Sequence, residues 1–293
     1  MLGSIAGAIC GSPYEGGSCE PARFKFFTDG CCFTDDTVCT IAVADALLSD
    51  GDFAAALRRW VSRYPGRGYG GLFINWATST KGPYNSFGNG GAMRVSPCVM
   101  VAQSLEEAEL FAEASARVTH NHPDGILGAK AIAAALWWAG HGVPSPELRQ
   151  KLTDRFGYDL RASVASRAEI FGFSTLAEET VPDALVCALE AHSWEDAVRN
   201  AVRIGGDSDT VACMAGGIAE AQHGLPARWA RRAYHGLPAD MQEVLLALYA
   251  KARVPAPWLA EEPPETGGVE RAVGRNRVSW LDSTLHWLRQ RRL

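Results

Sequence analysis

Apolar residues recur three and four positions apart over residues 38–48, 105–118, 126–139, 183–191, 194–202, 210–222 and 240–252. That is the period of a helix with one face turned toward a core. Alternation of apolar and polar residues between turn signals, the mark of a half-buried strand, is nearly absent. The pattern therefore predicts an all-α protein. Glycine-rich loops separate the helical segments, chiefly 64–72 (YPGRGYGGL) and 81–93 (KGPYNSFGNGGAM). Such loops turn tightly or let backbone approach a ligand. Residues 254–268 (VPAPWLAEEPPETGG) form a proline-rich break, and 278–293 (VSWLDSTLHWLRQRRL) read as a short amphipathic helix with arginines at its negative end. The expected organisation is one main domain over 1–254 and an extension, 255–293, packed on it.

Composition changes this picture little. The 293 residues are 47% apolar and 21% charged, which is ordinary for a globular chain with a substantial core. A formal charge of -5 gives no broad electrostatic case for nucleic acid or an anionic membrane, so an anionic ligand has to be handled locally. The opening segment MLGSIAGAIC is apolar but lacks the basic start and long apolar run of a signal peptide. The longest uncharged apolar stretch, AIAAALWWAG at 131–140, is about half of what a spanning helix needs. A soluble, cytoplasmic protein is expected. Eight cysteines without any CxxC pair fit reduced structural thiols better than disulfides or zinc.

Charge is concentrated at two places. In FTDDTV, Asp35 and Asp36 lie between Thr34 and Thr37 ahead of an apolar helix; in RIGGDSDTVA, Asp207, Asp209 and Thr210 open another. Capping is one reading, with Thr34 and Ser208 as N-caps and the aspartates favouring the positive end of the helix dipole. A cap, however, needs one acceptor, and each start brings two carboxylates toward a core where unpaired charge is costly. The second helix also carries Gly216 and Gly217, each worth about 1 kcal/mol against Ala in a helix interior, which predicts close helix contact and a central position. The other reading is a cation site. Four carboxylates with hydroxyls are a hard, all-oxygen set suited to Mg²⁺ or Mn²⁺, and four carboxylates balance two such ions.

The blocks GSPYEG, FTDDTV, SFGNGGAMRVSP, THNHPDGILGAKA and RIGGDSDTVA, in this order over about residues 1–225, resemble the ADP-ribosylglycohydrolases. That resemblance implies a single compact orthogonal helical bundle with a binuclear magnesium or manganese centre, and removal of ADP-ribose from protein side chains or small acceptors. It places Thr34, Asp35, Asp36, Asp207, Asp209 and Thr210 at the metal-ligand positions. Glu15 falls on the glutamate of a flap over the scissile bond. Ser86, Phe87, Gly88, Asn89, Gly90 and Gly91 fall on a loop that cradles the diphosphate, with Met93 just beyond it. Phe87 corresponds to an aromatic that stacks on adenine, and His120 to a histidine that hydrogen-bonds the ligand; His122 has no counterpart. One departure is Ala8 in GAICG, where the family writes an aspartate beside the flap.

The implied chemistry is hydrolysis of the ADP-ribosyl bond, with Asp35 as acid-base group and Glu15 closing over the bond or taking that role. Arginine is the favoured acceptor; serine-linked or small-molecule ADP-ribose is the alternative. ADP-ribose is the product, and a cognate ADP-ribosyltransferase or its target is the implied partner. A non-catalytic ADP-ribose binder would have shed ligands, a crystallin-type structural protein gives no reason for two acidic clusters, and a two-metal phosphoesterase would more often add histidine ligands.

Overall fold

The computed structural model describes residues 1–170 and 172–259. The described residues form fourteen α-helices and no strand; the nearest to β-structure are isolated bridges, Gly17 with Gly206 and Gly88 with Leu176. The helices are α1 (Leu2–Gly11), α2 (Asp35–Leu48), α3 (Phe53–Arg63), α4 (Gly71–Ala77), α5 (Ser96–Val101), α6 (Leu105–Arg117) and α7 (Pro123–Gly140). They continue with α8 (Ser145–Phe156), α9 (Val164–Ala168), α10 (Ala177–Leu189), α11 (Trp194–Ile204), α12 (Ser208–His223), α13 (Ala227–His235) and α14 (Ala239–Ala252). All seven predicted helical segments are present, several extended by a turn. The pattern did not predict α1, α3, α4, α5, α8, α9 or α13. The proposed C-terminal helix, and the extension apart from 255–259, lie outside the described residues.

Helix α12 is the centre of the fold, buried continuously from Ser208 to Ala221 and packed by α1, α7, α10 and α11. Its closest neighbour is α1, itself buried along its whole length. Gly3, Gly7 and Gly11 recur every four residues and so form one stripe. A Cβ on Gly3 would lie 2.8 Å from the Gly216 carbonyl oxygen, one on Gly7 would overlap the Ala212 carbonyl, and one on Gly11 would lie 2.6 Å from the Ser208 carbonyl oxygen. The two helices are thus antiparallel and in backbone contact, which only a stripe without side chains allows. Gly216 completes the fit from the other side, since a Cβ there would lie 2.6 Å from the Gly3 carbonyl oxygen.

This contact has a positional consequence. The C-terminus of α1 is held against the N-terminus of α12, so the chain leaving α1 at Ser12 begins beside Asp209. The segment after Tyr14 is then pinned by the Gly17–Gly206 bridge, with Gly16 N–H donating to Gly206 O at 2.8 Å and Gly206 N–H to Gly17 O at 3.0 Å. Ala8 is fully buried within α1 and adds apolar surface to that helix. At the far end of the described chain, Trp258 is buried edge-on against Tyr249, ring centroids 4.8 Å apart.

No helix is long and apolar enough to cross a membrane among the described residues. All eight cysteines are free thiols, five of them buried.

Candidate metal centre

The two acidic helix starts, far apart in sequence with Asp36 and Thr210 separated by 174 positions, meet. Carboxylate oxygens of Asp35, Asp36 and Asp209 lie within 4.8 Å of one another, and so do those of Glu15, Asp207 and Asp209. Asp209 belongs to both groups. Thr34 Oγ1 donates to Asp36 Oδ2 at 3.0 Å, and Thr210 Oγ1 to the same oxygen at 3.4 Å. All six positions named from the sequence, and Glu15, are therefore in one place.

Capping does not explain this arrangement. Thr34 occupies the N-cap of α2, but its hydroxyl goes to Asp36 and not to a helix amide. Ser208 is not a cap at all: it lies in the first turn of α12, with Asp207 at the cap position and no side-chain cap bond. The Ser208 hydroxyl reaches back to Gly11 O at 3.4 Å.

The residues fit a hard divalent cation. Oδ1 of Asp36 and Oδ1 of Asp209 are buried without a hydrogen-bond partner, which a carboxylate oxygen in a protein interior seldom is. A cation on these oxygens removes both that deficit and the mutual repulsion. Without one, protons must do so. Burial, then the charge of Asp209, holds Asp35 and Asp36 well above the usual carboxylate range. Burial, then Asp207, pushes Asp209 up to about 7. Burial and Asp209 also raise Glu15.

A pH dependence follows from these directions. In the metal-free protein the folded chain keeps protons that unfolded aspartates release near pH 4, so more protons are bound in the native state. Stability then falls as pH rises from about 4 through about 7. A divalent cation competes with those protons, so Mg²⁺ is expected to raise the melting temperature more at pH 8 than at pH 6. Calorimetry at the two pH values checks this. A melting temperature indifferent to Mg²⁺ and Mn²⁺ at pH 8 removes the metal centre.

Above the carboxylates opens a cavity of about 440 Å³, lined by Glu15, Asp35, Asp207, Asp209 and Thr210 on one side and by Ser86, Gly88, Asn89, Gly90, Met93 and His120 on the other. Its size is that of a small-ligand pocket. Thr34 and Asp36 are buried and absent from this lining. Asn89 joins the two sides, its Nδ2 donating to Asp207 Oδ2 at 2.6 Å. Three amides of the glycine loop are already engaged, Asn89 N–H by Thr175 O at 2.8 Å, Gly88 N–H by the Ser86 hydroxyl at 3.2 Å and Ser86 N–H by Thr119 O at 3.3 Å. Gly91 packs against His120, where a Cβ would meet the His120 Cβ at 3.1 Å. The Phe87 ring does not line the cavity; it stands 52% exposed, edge-on to His122. His122 caps α7, its Nδ1 accepting from Asp124 N–H at 3.3 Å.

Several lining residues escaped the sequence reading. Gly68 lies in the predicted loop 64–72, and a Cβ there would sit 3.3 Å from Asp35 Oδ1, with the Arg67 carbonyl accepting from Asp35 N–H at 2.8 Å. Tyr84 and Arg94 flank the glycine loop in sequence, and their nearness to it was the available signal. Phe173 and Thr175 approach from the segment before α10, which carries no motif.

Comparison with known proteins agrees with this geometry. The family model described as ADP-ribosylglycohydrolase matches residues 1–258, beyond the 225 over which the motifs run. The mouse protein ADP-ribosylhydrolase ARH3 is 30% identical over 265 residues, covering 67% of this chain and 72% of the relative. ADP-ribosylarginine hydrolase Tri1 of Pseudomonas putida is 24% identical, covering 68% of this chain and 62% of that protein. A solved structure described as an ADP-ribosylglycohydrolase-related protein complex superposes with a TM-score of 0.64 at 26% identity, over 86% of this chain and 95% of the other. With its helical architecture, its joined acidic helix starts and a family match over nearly its whole length, this chain belongs to the ADP-ribosylglycohydrolase family.

Proposed function

We propose that this protein hydrolyses the glycosidic bond between ADP-ribose and a protein side chain, with arginine the favoured acceptor, and releases ADP-ribose. The observation that carries the proposal is the pair of carboxylate groups sharing Asp209 at the floor of a nucleotide-sized cavity. The mouse relative's name supports the reaction class, and the Pseudomonas relative's name supports arginine.

Thr34, Asp35, Asp36, Asp207, Asp209 and Thr210 would hold two Mg²⁺ or Mn²⁺ ions, which when bound supply positive charge to fix ribose hydroxyls and to acidify a water. The chain's own residues do the rest. Asp35, whose carboxylate borders the cavity, takes up and returns the transferred proton. Glu15 projects from the flap over the same space and closes over the bond; it is the alternative proton carrier. The glycine loop and His120 hold the diphosphate end of the ligand, and Phe87 offers an exposed ring to adenine.

The test is release of ADP-ribose from arginine-, serine- and nucleobase-linked substrates with Mg²⁺ or Mn²⁺ present. Release from the arginine conjugate is expected. Release from the serine or a small-molecule conjugate alone changes the acceptor and keeps the reaction. Binding of ADP-ribose with no release from any conjugate overturns the enzymatic reading in favour of a binder. For the adenine contact, Phe87→Ala is expected to weaken ADP-ribose binding by about 1 to 3 kcal/mol, the range for base–aromatic stacking, with an unchanged melting temperature because the ring is largely solvent-exposed. Titration calorimetry beside a thermal melt reads both.

A further inference from the structure

We infer that Arg94 and Thr119 form a relay that fixes the tautomer of His120, so that the imidazole turns an N–H rather than a lone pair toward the glycine-loop side of the cavity. The inference rests on the reading of that cavity as an ADP-ribose site and adds how its anionic part is recognised. Arg94 and Thr119 are fully buried, and His120 nearly so.

The argument is one of donors and acceptors. Arg94 has only donors; its Nη2 gives hydrogen bonds to Ser115 O at 2.7 Å and to Thr119 Oγ1 at 2.8 Å. The Thr119 oxygen therefore spends a lone pair on Arg94 and still has its own proton to place. Two acceptors are within reach, His120 Nδ1 at 2.7 Å and Ala116 O at 3.5 Å. The Ala116 carbonyl already accepts from Thr119 N–H at 3.0 Å and from His120 N–H at 2.7 Å, so both of its lone pairs are taken. The proton goes to Nδ1, and 2.7 Å is an ordinary length for a hydroxyl donor. Nδ1 is then an acceptor, and in a neutral ring the remaining proton is on Nε2. The guanidinium strengthens this choice by polarising the hydroxyl it binds.

Nε2 has no protein partner among the described residues. It lies along the glycine loop: a Cβ on Gly90 would stand 3.0 Å from it and one on Gly88 3.7 Å. An N–H there donates to a diphosphate oxygen, whereas a lone pair would repel it. Burial, with Arg94 adding to it, keeps the ring well below its usual pKa, so the donor is a neutral one. Thr119 and Arg94 are thus positioning residues, acting on the ligand only through His120.

Long-range ¹H–¹⁵N NMR of the ligand-free protein at pH 7 reads the tautomer directly, with His120→Gln assigning the signals. The expected result is a neutral His120 protonated at Nε2. A neutral ring protonated at Nδ1, or a doubly protonated ring, overturns the relay, and this measurement needs no ligand and no folded variant of Thr119. In Thr119→Val the fixed Nε2–H pattern should be lost and the Kd for ADP-ribose should rise about tenfold, the scale of one hydrogen bond to a charged group. Thr119→Ser should restore both. An unchanged tautomer and affinity in Thr119→Val overturns the relay as well. If wild type fails to bind ADP-ribose while its Nε2–H tautomer is intact, the ligand reading falls and the relay stands.

Discussion

Replacing Asp36 or Asp209 by asparagine is expected to reduce turnover by about a thousandfold or more, about 4 kcal/mol of transition-state stabilisation, while the helical fold persists. The fold persists because an asparagine side chain has the shape of the aspartate it replaces. At position 36 its carbonyl oxygen can accept from Thr34 and Thr210 as the carboxylate does, and its amide takes the place of the orphaned Oδ1, facing carboxylates that can accept from it. What the substitution removes is charge. The metal-free variants should be at least as stable as metal-free wild type at pH 8, because the carboxylates that remain in the crowded cluster have one fewer neighbour to repel. Wild type should gain about 2.7 kcal/mol of stability at a cation concentration a hundred times the dissociation constant, and the variants little. Thermal melts with and without Mg²⁺, beside turnover, check both halves. Normal turnover together with a normal Mg²⁺-dependent shift in both variants would show that these aspartates are not ligands.

Gly7→Ala is expected to destabilise the protein by about 3 kcal/mol or more, a large share of the 5 to 15 kcal/mol typical of a folded domain. The sign is opposite to the intrinsic one, since Ala for Gly inside a helix gains about 1 kcal/mol. Here the added methyl would overlap the Ala212 carbonyl, which is backbone and cannot rotate away, so α1 and α12 must separate along the buried stripe. Separation also moves Gly11 away from Ser208 and Asp209, and with it the start of the segment that carries Glu15, so activity should fall along with stability. Gly82→Ala is the control: no atom lies within 4 Å of its added methyl and its φ is not positive, so urea unfolding should find it neutral. A Gly7→Ala protein as stable as wild type would show that the helix contact is looser than described.

How much of this could be read without coordinates depended on where each signal is stored. Helices α2, α6, α7, α10, α11 and α14 were legible because their apolar residues recur three and four positions apart, and α12, although buried along most of its length, also has an acidic start to mark its head. Helix α1 was not. All ten of its residues are buried, so it has no polar face to set a period, and its glycines lower its helix propensity. Helices α3 and α13 do carry an amphipathic pattern that was passed over, with Phe53, Ala56, Leu57, Trp60 and Val61 forming one buried stripe of α3. Helices α4, α5 and α9 are too short for periodicity to speak.

The chemistry of the site was local and therefore readable: FTDDTV and GGDSDTVA each place their carboxylates at the head of one helix, and the hard-oxygen character follows from residue type alone. Their union was not local. Glu15 comes beside Asp209 because α1 docks on α12 through glycines and the segment after it is bridged to Gly206, and Asp36 meets Asp209 because α2 packs on α1 and α12, contacts between distant residues that no sequence window spans. The buried chain from Arg94 through Thr119 to His120 belongs to the same class. The sequence by itself determined which hard oxygen atoms stand at the heads of the two helices; only the packing of backbone against backbone decided that they face one another, since proximity is a property of the core and not of any single segment.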